Sequence, residues 1–174
     1  MKNKIIFLSV ILLLFSANLF AQKQSAAAFV ESFYKFHRAR SRAFDAREVL
    51  LHKRWFSAEL NRLFQKELKR ESEYLKKNPT DKPYFGDGFP FTPYEECYKG
   101  GREIKNVLKI AAVTRLGNKT LVEVQFFTPK ACGGDFINTY KVELVKMKGV
   151  WLINDWIGGD GGRLTDALKR TGDW

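Results

Sequence analysis

The chain has 174 residues, is 45% hydrophobic, and carries 30 Lys and Arg against 19 Asp and Glu with only two cysteines and two histidines. That apolar content excludes a disordered or collagen-like chain, and the length points to one compact domain. Two thiols and two imidazoles exclude a four-thiolate zinc site and a three-histidine metal centre.

Lys2 and Lys4 precede an apolar run from Ile5 to Phe20, and small Ala21 is followed by the polar Gln22-Lys23-Gln24-Ser25. This layout predicts a secretory signal peptide over residues 1–21, cleaved between Ala21 and Gln22, and a single domain over residues 22–174. An uncleaved anchor is the alternative reading, since sixteen residues fall just short of a bilayer span. Loss of the two leader lysines leaves a chain of 153 residues with a net charge of +9, expected to be periplasmic or secreted. In such an oxidising compartment Cys97 and Cys132 are expected to pair, with two free buried thiols as the alternative. The bridge would close a loop of about 36 residues, worth about 3–4 kcal/mol in the chain-entropy account.

Residues 25–47 read as one helix. Phe29, Phe33 and Phe36 recur at helical spacing, Val30, Tyr34 and His37 widen the stripe, and no Gly or Pro interrupts it. A second helix is expected from Ser57, whose hydroxyl suits an N-cap, to Asn78, because Pro79 disfavours helical backbone before it. Its apolar face is Leu60, Leu63, Phe64, Leu68 and Leu75. Residues 79–101 hold four of the five prolines, several glycines and six Phe or Tyr, which predicts an ordered, non-helical cover over the core. From Ile104 the period switches to two. Strands are expected over about 107–115, 120–128, 136–147 and 150–157, joined by turns at Gly117-Asn118, Gly133-Gly134-Asp135 and Lys148-Gly149. A short helix over about 164–170 follows the run Gly158-Gly159-Asp160-Gly161-Gly162. Helices first and an antiparallel meander afterwards define an α+β fold, with the helices packed on one face of a curved sheet of about four strands.

Several short motifs resemble those of the exported bacterial family catalogued as domain of unknown function 3828, within the nuclear-transport-factor-2-like superfamily. They are Phe29-Val30-Glu31-Ser32-Phe33-Tyr34, Phe56-Ser57-Ala58-Glu59-Leu60, Asp87-Gly88-Phe89-Pro90-Phe91, Trp151-Leu152-Ile153-Asn154-Asp155-Trp156-Ile157 and Leu164-Thr165-Asp166-Ala167-Leu168. The resemblance implies a cone-shaped fold and an exported location, and brings no catalytic residues with it.

The chemistry-bearing residues narrow the function further. Neither His37 nor His52 sits with a nucleophile in a recognisable arrangement, and no Gly-x-Ser-x-Gly elbow is present, so nucleophile–base hydrolysis is excluded. Alternation puts Glu123 and Glu143 on the wet face of the sheet, and Asp45 lies near the end of the first helix. That leaves Asp155 as the one candidate for acid–base work. The glycine-rich runs lack the Lys-Ser/Thr of a P-loop and the oxygen spacing of a calcium loop, and read as turns. No cofactor or metal is expected. Between Lys35 and Lys77, thirteen Lys or Arg face six Asp or Glu, so this stretch holds +7 of the net charge. Nucleic acid is a poor partner for an exported chain without base-stacking motifs, whereas an acidic protein or an anionic envelope component fits. The candidate binding residues are Arg62, Lys66, Lys69 and Arg70 on the basic helix, and Tyr84, Phe85, Asp87, Phe89 and Tyr94 on the cover. The leading expectation is an exported, non-enzymatic binding or accessory protein, in one version an immunity-like toxin antagonist. The alternative is a small-molecule enzyme working in the cone's pocket.

Overall fold

The computed structural model describes residues 24–40, 43–93 and 97–170. The expected signal peptide and Tyr94 lie outside these residues. Among the described residues, three helices precede the sheet: α1 (Ala26–Arg38), α2 (Ala46–His52), which runs on into a 3-10 turn (Lys53–Trp55), and α3 (Ala58–Lys77). Two short strands, β1 (Tyr98–Lys99) and β2 (Arg102–Glu103), form a small hairpin before the main sheet. That sheet is the meander β3 (Val107–Leu116), β4 (Lys119–Phe127), β5 (Phe136–Met147) and β6 (Val150–Ile157), antiparallel in the order β3-β4-β5-β6. A last helix, α4 (Leu164–Lys169), returns beside α3 and β6. The α+β architecture with helices ahead of a curved four-stranded antiparallel sheet is therefore present.

The helix boundaries follow from caps. Ser25 Oγ accepts from Ala28 N–H, and Ser57 Oγ accepts from Leu60 N–H at 3.2 Å, so both helices start on a hydroxyl. The single helix expected over 25–47 is instead two. α1 stops at Arg38, and Asp45 caps a new helix by accepting from Glu48 N–H at 2.8 Å. The break turns the chain so that His52 comes back against His37, 3.0 Å from ring nitrogen to ring nitrogen. Val49 and His52, both past the break, are buried.

The core lies between α1, α3 and the inner face of the sheet. Phe29, Val30, Phe33 and Tyr34 come from α1, Leu60, Leu63 and Phe64 from α3, and Val122, Val124, Phe126, Val142, Leu144 and Ile153 from the strands. Leu75, expected on the apolar face, stands at the exposed end of α3. Glu67 and Glu71 occupy buried positions on that helix instead, Glu71 accepting from Phe85 N–H at 2.7 Å. The described part of the cover packs onto the core, as expected. Phe85, Phe89 and Phe91 are all buried, and Phe91 stacks on Trp156 with centroids 4.1 Å apart. The disulfide joins Cys97, at the end of the cover, to Cys132 in the 3-10 turn Lys130–Cys132 before β5. Lys148 and Gly149 both take positive φ, as a tight turn between twisted strands requires.

Candidate functional site

A cavity of about 580 Å³ opens between the cover and the C-terminal turn. Its aromatic walls are Tyr84, Phe85 and Phe89 from the cover, Tyr140 from β5 and Trp156 from β6. Its polar rim is Asp87, Asp160, Asp166, Arg163 and Arg170. The size and the mixture of aromatic walls with a few polar groups suit a small organic ligand. Four of the five cover residues singled out in the sequence, Tyr84, Phe85, Asp87 and Phe89, converge here. Of these, Tyr84 is half exposed, while Phe85 and Phe89 show the cavity little more than an edge. Asp87 pairs with Lys82. Burial pushes the Tyr140 hydroxyl up from its ordinary pKa, against the lowering effect of its bond with Asn138.

The basic-helix residues are placed elsewhere and are largely paired. Arg62 makes two hydrogen bonds to Glu59, Lys69 stands 3.8 Å from Glu73, and Lys66 is exposed. Arg70, expected among the binding residues of the basic helix, pairs at 2.5 Å with Glu67, which is only 1% exposed, and donates to the Arg170 carbonyl. It therefore ties α3 to the end of α4. Pairing at three and four residues along the helix spends much of the excess charge locally.

Behind the cavity lies a polar cluster that alternation alone misassigns. Glu143, expected on the wet face, is buried. It sits directly opposite Asp155 in the β5–β6 register, an arrangement that is repulsive without a cation between the two carboxylates. Arg163 supplies it, with one nitrogen 2.7 Å from Glu143 and another 2.8 Å from Asp155. Lys119 and Asn154 also donate to Glu143 Oε1, each at 2.8 Å. Burial pushes Glu143 up, yet Lys119, Arg163 and Asn154 together outweigh it and hold the carboxyl below its usual range. Asp155 is 1% exposed and accepts from Arg163 Nε, Thr165 N–H, Thr165 Oγ and Trp156 N–H. Both oxygens are occupied by partners that join β6 to α4. The site's acid–base candidate is thus a structural brace. The register slip at Asn154 makes this possible, because it keeps Ile153 and Trp156 on the core face while Asp155 meets Glu143.

The second buried polar group is the imidazole pair. His52 Nδ1 donates to the Glu48 carbonyl at 2.7 Å, so with His52 neutral its Nε2 accepts from His37 Nδ1–H. Phe33, Phe89 and Phe91 pack around both rings. Burial pushes His52 below its ordinary pKa despite the raising effect of Glu48.

Among the described residues, no group of three or more His, Cys, Asp or Glu side chains could hold a metal ion, and no helix is long and apolar enough to cross a membrane. Sequence reading missed Arg163, Asp160, Asp166 and Arg170. The only signal is the glycine run at 158–162; it forms a turn, as expected, and that turn carries Arg163 over the sheet end. The chain matches no protein-family model, no curated protein and no solved structure.

Proposed function

We propose that this is an exported, non-enzymatic binding or accessory protein whose ligand enters the cavity between the cover and the C-terminal turn. The observation that carries the reading is the division of labour around that cavity. Aromatic faces and exposed charges line it, while both buried carboxylates behind it, Glu143 and Asp155, are bonded to Arg163 and their other partners. A general acid or base needs a free proton position aimed at a reacting atom, and Asp155 has none to offer. The apolar run at residues 5–20 and a disulfide fit an oxidising compartment and support export. The resemblance to the nuclear-transport-factor-2-like superfamily, and to its exported family of domain of unknown function 3828, rests on the short sequence motifs, and helices before a curved meander agree with the superfamily's general outline.

Mass spectrometry of small molecules retained from envelope extract tests this, comparing the wild-type protein with Ala167→Trp, which fills the cavity from α4. A species held by the wild type, released unchanged and lost with the variant at equal thermal stability is the expected result. A species released chemically altered establishes the enzyme instead. Identical retention by both proteins overturns the cavity as the binding place.

A further inference from the structure

A second concavity, of about 1060 Å³, shares no residue with the first and lies where α1, α2, the 3-10 turn and β6 meet. Its floor is apolar, formed by Phe36, Leu51, Phe56 and Leu152. Leu50 stands at its rim, 64% exposed, an uncovered large side chain on a helix whose other face is packed. The charged groups that line it are all cationic, Arg40, Lys53 and Arg54, and among the described residues no carboxylate lines it.

The two arginines are held in place. Arg54 lies 4.8 Å over the Phe36 ring and 5.2 Å over Trp55, and Arg40 lies 5.1 Å over the same Phe36. A guanidinium stacked on a ring keeps its edge donors turned outward, and little rotamer freedom is left to lose when an oxyanion arrives. Arg40 shares its charge with Glu48 at 3.3 Å, whereas among the described residues no carboxylate pairs with Arg54 or Lys53. An apolar trough ending in an arginine clamp is complementary to a ligand with an anionic head and an aliphatic tail. On α3, by contrast, Arg62, Lys69 and Arg70 are paired with neighbouring carboxylates.

We infer that this groove binds a single-chain anionic amphiphile, a long-chain carboxylate, with the carboxylate on Arg54, Lys53 and Arg40 and the chain over Leu51, Phe56 and Leu152. The site is independent of the cavity proposed above for the ligand. A free monomer is favoured over a bilayer surface because the apolar residues are recessed in a concavity, with Leu50 alone projecting.

Titration calorimetry with laurate below its critical micelle concentration tests the site. Binding is expected in the micromolar range, at least tenfold tighter than that of neutral monolaurin, and at least tenfold weaker for Lys53→Gln/Arg54→Gln. Leu50→Ser, a change at an exposed position, is expected to weaken laurate several-fold without altering the melting temperature. Tyr84→Ala, at the other cavity, should leave laurate binding unchanged, so the two sites fail separately. Equal affinity for laurate and monolaurin, or laurate binding untouched by Lys53→Gln/Arg54→Gln, overturns the proposal. Binding to phosphatidylglycerol vesicles with no binding of laurate overturns it in favour of a membrane surface.

Discussion

Two of the protein's buried polar clusters, one at the sheet end and one between α1 and α2, settle the cost of burial in opposite ways. At the sheet end, Arg163 bridges the Glu143 and Asp155 carboxylates, and backbone and hydroxyl donors fill further acceptor positions of Asp155. In the aromatic cage between α1 and α2, His37 and His52 are bonded to one another, and the Glu48 carboxylate lies 3.9 Å from His52. A buried charge is tolerable when it is surrounded by donors; a buried imidazole such as His52, bonded to a carbonyl and a second ring, is tolerable when it stays neutral. The two clusters should therefore answer differently to mutation and to pH.

The largest expected effect is at the ionic cluster. Asp155→Ala leaves Thr165 N–H and Trp156 N–H buried without acceptors and removes one of the carboxylates that balance Arg163. A loss of about 3–5 kcal/mol in urea denaturation is expected. A loss under 1 kcal/mol would show that Arg163 does not depend on both carboxylates.

Cys97→Ser comes next, at about 2–4 kcal/mol by the same measurement. It also sharpens the comparison, because the bridge pins the cover that supplies Phe89 and Phe91 to the cage. Hydrogen exchange at α2 should rise in this variant while exchange at β6 and α4 changes less. Uniform acceleration across both regions would refute that division.

The pH response comes third. His52 is depressed by burial, so the unfolded chain binds its proton more readily than the fold does. Its contribution is complete above the unfolded value of about 6.5 and is lost as pH falls toward the folded value, at up to about 1.4 kcal/mol per pH unit. Glu143, depressed in the fold, loses its contribution only as pH falls below about 4.5. Urea midpoints should then decline between pH 7 and pH 5.5 in the wild type and flatten over that window in His52→Gln. An unchanged slope in the variant would assign the decline to other groups.

The smallest effects concern the basic helix. Arg62→Gln removes only an exposed pair with Glu59 and should shift stability by less than about 0.5 kcal/mol. Arg70→Gln, at a helix position of similar appearance in the sequence, should cost about 1–3 kcal/mol because it leaves Glu67 buried without its cation. Equal effects of the two substitutions would mean that the Glu67 contact adds nothing.

Local pattern alone determined the α+β order, the start of α3 at the Ser57 cap, the hairpin turns, the ordered aromatic cover and the disulfide pair. Each rests on neighbours in the chain or on a count: a hydroxyl one residue before a helix, a period of two between glycine turns, two cysteines with no other partner. Tertiary structure alone decided where α1 ends, since nothing between Ala39 and Asp45 is a helix breaker, and the break is fixed by His52 returning to His37 across fifteen residues. It alone decided that Glu143 is buried, because alternation assigns a residue to a face of the sheet and says nothing of what later covers that face. Here the Gly158–Gly162 turn brings Arg163 onto it. Both cavities have the same origin: their walls come from segments far apart in sequence, whose meeting depends on how the helices and the C-terminal turn pack against the sheet.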